Sequence, residues 1–242
     1  CSCSEYHQRG SLRMKVTYLE HSGFAVEYKN YVLIFDWYKG KVPEFDVTKK
    51  VYVFSSHAHY DHFNQNIFTW KEDYPDIHYI LSADIVTDTE GAKVTYVVAN
   101  QEYQVDDLKV QTLHSTDEGV AFVVYAEDKV IYHAGDLNWW HWEEETEAYN
   151  NSMRLDYQKE IDKLKDISID VAFVPLDPRQ EEQYYWGMDY FMKHTDTGCV
   201  FPMHMWEQYE EYDRLMENPE ADSYKERVMK ITGPGQTFEL ED

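Results

Sequence analysis

Three histidines and one aspartate stand in the hexapeptide His57–His62, in the order His-Ala-His-Tyr-Asp-His, directly after the apolar run Val51 to Phe54. The chain has only 11 histidines in 242 residues, so chance explains this density poorly. Side chains two positions apart point to nearly opposite sides of a helix, and on a strand the last histidine faces away from the other three polar residues. We therefore predict that the hexapeptide is a loop at the end of a buried strand.

The residue types in this loop indicate a metal site. Neutral imidazoles and a carboxylate suit zinc, or iron and manganese when more oxygen ligands are supplied. A loop that leaves the carboxyl end of a strand could turn His57 and His59 toward one ion, and Asp61 and His62 toward a second. The alternative is a surface histidine cluster without metal, which is disfavoured because unpaired polar groups at the end of a buried strand are costly.

Further candidate ligands recur at the ends of later predicted strands. His114 follows the strand Leu108 to Leu113, and His204 follows Cys199 to Met203. Asp136 comes after Val130 to Tyr132, across a short turn. Each of these positions alone is weak support, since a single polar residue at a strand end commonly serves a turn. Together they predict that a second set of ligands joins the hexapeptide.

The chain is strongly acidic, with 22 basic and 46 acidic side chains and a net charge of -24. Such a charge repels phosphodiester backbones and argues against nucleic acid as a partner. No apolar segment approaches the roughly 18 residues needed to cross a bilayer, and no signal peptide is visible, so we expect a cytoplasmic protein without membrane attachment. Only three cysteines occur, which provides no disulfide framework.

Strand-like runs dominate the first half of the chain, and helical patterns enter after Glu143. Met153, Tyr157 and Ile161 recur at helical spacing, and the segment from Glu207 to Lys230 reads as one or two charged helices. Many strands followed by helices interleaved with strands predict an α/β fold in which helices flank two packed sheets. Residues 1–13 have no such pattern and are interpreted as a leader, a tag or a disordered extension, which leaves residues 14–242 as a single domain. A lipid anchor at Cys1 of an exported protein is the alternative.

The chain resembles the metallo-β-lactamase fold superfamily over residues 14–242. It is most similar to a branch of small bacterial metal-dependent hydrolases related to ascorbate-phosphate lactonases, although Glu20 stands where that branch usually has glycine. The resemblance implies an αβ/βα four-layer sandwich of two mixed β-sheets flanked by helices, with the site at one edge between the sheets. It rests on four segments: Tyr18–Phe24, His57–His62, His133–Asp136 and Pro202–His204, together with His114.

The same resemblance implies a set of functional residues. His57, His59 and His114 are similar to the ligands of the first metal, and Asp61, His62 and His204 to those of the second. Asp136 is similar to the carboxylate that bridges both ions, and Asp61 and Asp136 are the expected catalytic residues. Asp36 is similar to the motif that orients a ligand, and His21 and His133 are further candidates for this role. Independently of the resemblance, Lys39, Trp139 and Arg179 lie in loops expected around the metals and would contact substrate.

We therefore expect a metal-dependent hydrolase in which a hydroxide held by two divalent transition-metal ions cleaves a small ester, lactone or phosphoester. Zinc is the favoured ion, with manganese and iron as alternatives. The expected partner is a small molecule, for which an anionic substrate is considered, and a homo-oligomer is left open. The competing interpretations are a non-catalytic metal-binding relative and a phosphodiesterase or nuclease of the same fold. A redox di-iron protein is disfavoured because His59 stands where such proteins have glutamate and no length remains for a flavin module.

Overall fold

In a computed structural model, residues 13–241 are described, and they form two β-sheets packed face to face. Sheet 1 has seven strands in the order β13-β1-β2-β3-β4-β5-β6. Its strands are antiparallel from β13 to β3 and parallel from β3 to β6. They span Met14–Glu20 (β1), Gly23–Tyr28 (β2), Tyr31–Phe35 (β3), Lys50–Ser55 (β4), His78–Ser82 (β5), Lys93–Val97 (β6) and Thr237–Leu240 (β13).

Sheet 2 has six strands in the order β12-β11-β10-β9-β8-β7. It is also mixed, because β10, β11 and β12 run parallel while β7 to β10 pair antiparallel. Its strands span Glu102–Val105 (β7), Leu108–His114 (β8), Val120–Ala126 (β9), Lys129–His133 (β10), Ser168–Pro175 (β11) and Asp196–Met203 (β12).

Strand alternation explains why sheet 1 is buried on both faces. In β3, Leu33 and Phe35 join the large apolar core between the sheets. Val32 and Ile34 point the other way, into a second core on the outer face. A strand with two buried faces reads as a continuous apolar run, as β3 does.

Helices cover both outer faces. α1 (Glu147–Asp162) and α2 (Trp186–His194) pack on sheet 2, where Tyr157 and Phe191 are fully buried. The side chain of Thr146 caps α1 by accepting a hydrogen bond from the Tyr149 N–H. The outer face of sheet 1 is covered by a 3-10 helix, Gln65–Glu72, and not by an α-helix. Its Ile67 and Phe68 pack into the outer core. Two mixed sheets flanked by helices confirm the predicted α/β fold class.

Two parts of the fold differ from the sequence expectation. The segment predicted as one or two charged helices contains a single short α-helix, α3 (Glu211–Met216), followed by 3-10 turns. Pro219 lies after α3, and a proline that lacks an N–H cannot continue a helix. Strand β7 was missed because it is only four residues long and its polar and apolar residues alternate over too short a run.

The predicted leader, tag or extension at residues 1–13 lies, except for Arg13, outside the described residues, and the single-domain assignment of residues 14–242 stays a prediction. Within residues 13–241, no helix has both the length and the apolar character that crossing a bilayer requires.

Candidate metal centre

The candidate site lies at one edge of the sandwich, where strands of both sheets end. β3 leads into Asp36, β4 into the hexapeptide, β10 into Asp136 and β12 into His204. β3 and β4 run parallel in sheet 1, as do β10 and β12 through β11 in sheet 2. Their carboxyl ends therefore meet at one edge, which is where open α/β sheets place their ligands.

Asp136 is the centre of the cluster. Its Oδ2 lies 3.2 Å from His57 Nε2, and its Oδ1 lies 3.0 Å from His62 Nε2 and 3.1 Å from His204 Nε2. The neighbouring imidazoles outweigh the effect of burial and hold the pKa of Asp136 well below its usual value. Asp136 is therefore an anion at the middle of three imidazoles.

These short contacts are not well-directed hydrogen bonds. Among the described residues, the Nε2 atoms of His57, His62 and His204 and the Oδ1 atom of Asp136 are buried without a hydrogen-bond partner. Buried polar atoms are nearly always paired, so four orphans in one place require an explanation. Imidazole nitrogens and carboxylate oxygens that converge on one point are the ligand types that bind divalent transition metals, and the residues present therefore suit a metal centre.

A second group of donor atoms adjoins the first. The Nε2 atom of His21 lies 3.1 Å from Asp61 Oδ2, which is 3.5 Å from His62 Nε2 and 3.9 Å from His204 Nε2. Ligand atoms of His21, Asp61, His62 and His204 all lie within 4.8 Å of one another. Burial lowers the pKa of His21 to about 4, so its imidazole is neutral at pH 7, as a metal ligand must be. His21, expected only to orient ligands, lies at ligand distance.

The other side of the cluster is more open. His57, His59 and Asp61 form one group of donor atoms, and His59, Asp117 and Asp136 form another. The His59 side chain is 46% exposed, and its Nε2 lies 3.4 Å from Glu118 Oε2. The structure thus brings six of the seven predicted ligands together: His57, His59, Asp61, His62, Asp136 and His204.

The structure does not bring His114 into the cluster. Its exposed side chain ends β8, and it belongs to none of the donor groups found among residues 13–241. Its backbone N–H donates to Glu160 Oε2 of α1. Asp117, three residues further along the same loop, reaches the cluster instead, and sequence reasoning missed it. The position of Asp117 shortly after a predicted strand is the sequence feature that could have identified it.

Two buried carboxylates bond to the Nδ1 atoms of two cluster histidines, on the side of each ring that faces away from the cluster. Asp36 Oδ2 lies 2.7 Å from His62 Nδ1, and Asp36 also accepts hydrogen bonds from the Ser56 N–H and hydroxyl. Asp177 Oδ2 lies 2.8 Å from His204 Nδ1. An imidazole that donates from Nδ1 presents its Nε2 lone pair to the other side, here toward the cluster. Asp177 is a second orienting residue that was not assigned from the sequence.

His133 has a different environment from that expected. Its Nε2 lies 2.8 Å from the Ser22 carbonyl oxygen, and its Nδ1 accepts from the Gly135 N–H. The ring stacks on Phe35 with centroids 5.0 Å apart. Both nitrogens are therefore used within the core, and His133 supports the turn before Asp136 without reaching the ligand atoms.

A cavity of about 210 Å³ opens beside the cluster. Arg179 lines it, lies 4.7 Å from the Trp206 ring centroid, and donates to the Asp177 carboxylate. The other lining residues are Thr116, Asp117, Asp136, Trp140, Trp142, Tyr149, Met153 and His204.

Of the other predicted substrate contacts, neither lines this cavity. Trp139 packs against Trp186, with ring centroids 5.1 Å apart, and the two line a separate surface groove. Trp140, the next residue, faces the cluster instead. Lys39 is exposed, and its Nζ lies 3.9 Å from Glu207 Oε1.

The sequence model of a protein family, described as the β-lactamase superfamily domain, matches residues 15–157, more than half of the chain. A metal-dependent hydrolase of Nanoarchaeum equitans is 30% identical over 136 residues, which is 51% of this chain. The match spans 60% of the length of that relative.

Solved structures share the fold over most of the chain. A metallo hydrolase of Ignicoccus hospitalis is similar with a TM-score of 0.66 and 18% identity, covering 95% of this chain and 99% of that one. The metallo-β-lactamase fold protein YhfI of Bacillus subtilis has a TM-score of 0.62 and 15% identity, with 94% and 99% coverage. The family match, the two mixed sheets and the His/Asp cluster agree, and the chain belongs to the metallo-β-lactamase superfamily.

Removal of the Asp36 carboxylate should destabilise the protein measurably. Asp36 has a φ of 46°, a conformation that asparagine tolerates, so Asp36→Asn keeps the backbone and changes only the acceptor. The amide has one acceptor oxygen, so it cannot accept both from the Ser56 N–H at the Oδ1 position and from the Ser56 hydroxyl and His62 at the Oδ2 position. We expect a loss of about 2 kcal/mol or more in the free energy of unfolding. Urea denaturation of chelated protein measures this. Asp128→Asn, at an exposed ion pair with Lys29, should shift the midpoint little, and equal shifts in both variants would contradict the role of Asp36.

Proposed function

We propose that the protein is a hydrolase that uses two divalent transition-metal ions to cleave a small ester, lactone or phosphoester. The observation that carries this proposal is the convergence of three unpartnered, buried imidazole nitrogens on the Asp136 carboxylate. The N. equitans relative is named a metal-dependent hydrolase, which supports the same class of activity.

The donor atoms divide naturally between two positions that share Asp136. His57 and His59 would serve the first ion, and Asp61, His62 and His204 the second, as the sequence predicts. Two ions at such a site can share a water, lower its pKa toward neutrality and stabilise the charge that develops on the substrate. Zinc, manganese and iron all accept this mixture of imidazole and carboxylate ligands.

The protein's own residues orient the ligand histidines and exclude water from the site. Asp36 and Asp177 fix the rings of His62 and His204 through Nδ1, so these ligands need no reorganisation when the ions bind. Trp140 is buried, its ring lies 5.5 Å from that of His204, and its indole N–H donates to the Asp136 carbonyl oxygen. An apolar wall beside the reacting centre displaces water and strengthens the electrostatic interactions there.

The substrate we propose is small and carries a negative charge. A cavity of about 210 Å³ is smaller than the sites that hold drug-sized ligands. Arg179 lines this cavity and its side chain is 47% exposed, so its guanidinium, which donates to Asp177, could also bind a carboxylate or phosphate. The acidic surface, at a net charge of -24, disfavours a long polyanion such as RNA.

The test is metal-dependent turnover on a substrate panel. Purified protein is stripped with a chelator, reloaded with zinc, manganese or iron(II), and assayed on lactones, carboxylic esters and phosphodiesters, each in an anionic and a neutral form. We expect chelation to abolish hydrolysis of at least one class and metal to restore it. Fully metal-loaded protein without turnover on any member would favour the non-catalytic alternative.

Arg179→Gln serves as the matched variant in this panel. Loss of a charge-assisted hydrogen bond worth about 1.5–3 kcal/mol should raise KM for the anionic substrate about 10- to 100-fold. The neutral substrate should change far less. Equal changes on both forms would contradict the proposed anion contact while leaving the hydrolase proposal intact.

A further inference from the structure

The loop between β8 and β9 places a carboxylate where an imidazole was expected. Ligand atoms of Asp117, His59 and Asp136 lie within 4.8 Å of one another. Among residues 13–241, Asp117 forms no ion pair with a lysine, an arginine or a histidine. Asp117 thus adds a carboxylate beside Asp136 and His59 that has no cationic side chain of its own, and a metal ion would neutralise this charge.

The backbone of this loop holds Asp117 in place. The Asp117 N–H donates to the Ser115 hydroxyl, and the Thr116 hydroxyl donates to the Asn138 carbonyl oxygen at 2.6 Å. The Asn138 N–H donates back to the same hydroxyl, so the loop is tied to the segment that follows Asp136. The two acidic side chains are therefore set relative to each other by their own chain segments.

The other end of the loop is also constrained. The Val120 N–H donates to the Ser56 carbonyl oxygen, directly before His57. Gly119 lies so close that a Cβ atom there would be 1.9 Å from that oxygen. The loop is thus packed against the start of the hexapeptide, while His114 remains on the side of Glu160.

We propose that Asp117, and not His114, is the third ligand of the first metal position, and that this position is consequently suited to manganese(II) or iron(II) more than to zinc. The inference rests on the proposed function and specifies its metal. With the shared Asp136, the first position would then offer two histidines and two carboxylates, and carboxylate oxygens suit manganese(II), while imidazole combined with carboxylate also holds iron(II). An imidazole in place of Asp117 would move the preference toward zinc.

Metal content tests the ligand without an assay of activity. Chelated wild-type protein and three variants, Asp117→Asn, Asp117→His and His114→Gln, are dialysed without oxygen against manganese(II) alone, and bound metal is measured by mass spectrometry. We expect two equivalents in the wild type and in His114→Gln. Asp117→Asn should retain one tightly bound equivalent, with the affinity for the other about 10- to 100-fold weaker.

Competition among metal ions tests the proposed preference for manganese(II) or iron(II) over zinc(II). The same proteins are equilibrated with limiting, equimolar zinc(II), manganese(II) and iron(II), and we expect Asp117→His to raise the zinc-to-manganese ratio about tenfold or more over wild type. Cobalt(II)-loaded Asp117→His should also show an altered visible spectrum, because a nitrogen replaces an oxygen ligand. Loss of one equivalent in His114→Gln but not in Asp117→Asn would overturn the inference, as would an unchanged ratio. Wild-type protein that binds no metal would overturn the proposed function as well.

Discussion

Asp136→Ala is expected to lower kcat/KM by about 10³-fold or more and to reduce bound metal below one equivalent. Asp136 contacts His57, His62 and His204, so its removal takes a ligand from both proposed ions. Bound ions contribute several kcal/mol to the stabilisation of a transition state, and about 4 kcal/mol corresponds to 10³ in rate. Metal analysis and steady-state kinetics on the same preparation measure both effects.

His59→Ala should have a smaller effect in the same direction, since its side chain is about half exposed and touches only one of the two positions. Asp128→Ala, which removes an exposed carboxylate at the β9–β10 turn, serves as the control and should keep metal and activity. Full metal loading and activity in both Asp136→Ala and His59→Ala would contradict the ligand assignment.

Gly119→Ala is expected to destabilise the protein by about 3 kcal/mol or more. The residue has a φ of 74°, which favours glycine, and an added Cβ would lie 1.9 Å from the Ser56 carbonyl oxygen and 2.7 Å from His57 Cβ. The backbone of the loop or the start of the hexapeptide must therefore move. Urea denaturation of chelated protein measures the cost, and metal analysis shows whether the displaced loop also weakens binding.

Gly233→Ala is the matched control for this substitution. A Cβ at Gly233 meets nothing within 4 Å, so the change should leave the unfolding midpoint nearly unaltered. If Gly119→Ala were as stable as the wild type and bound metal equally well, the close packing of the loop on Ser56 would not matter for the site.

The hexapeptide and the strand-end positions were predictable because they depend on local pattern. An apolar run such as Val51–Phe54 indicates a buried strand, and polar residues directly after it must lie near the strand's carboxyl end. That reasoning placed Asp136 and His204 at the same edge as the hexapeptide, and the structure brings them within 3.1 Å of each other. Strand direction alone therefore accounts for most of the cluster.

Which residue of a loop faces inward could not be predicted in this way. His114 is the last residue of β8 and Asp117 lies in the loop after it, and only the hydrogen bonds of Ser115 and Thr116 and the tight turn at Gly119 decide between them. The same holds for Trp139 and Trp140, which are adjacent but lie on opposite sides of their segment. Asp177 lies two residues before Arg179 in the sequence, and its bond to His204 depends on tertiary packing.

Several expectations stay predictions. They include the nature of residues 1–13, the cytoplasmic location, the oligomeric state and the similarity to the lactonase-related branch.

The proposed ligands belong to both halves of the sandwich, since His57 and His62 follow a strand of sheet 1 while Asp136 and His204 follow strands of sheet 2. Ions bound between them would link the two sheets, in addition to the apolar core that the sheets share. A ligand present at 100 times its Kd adds about 2.7 kcal/mol to the stability of the folded state, so the metal supply would set the stability of this protein as well as its activity.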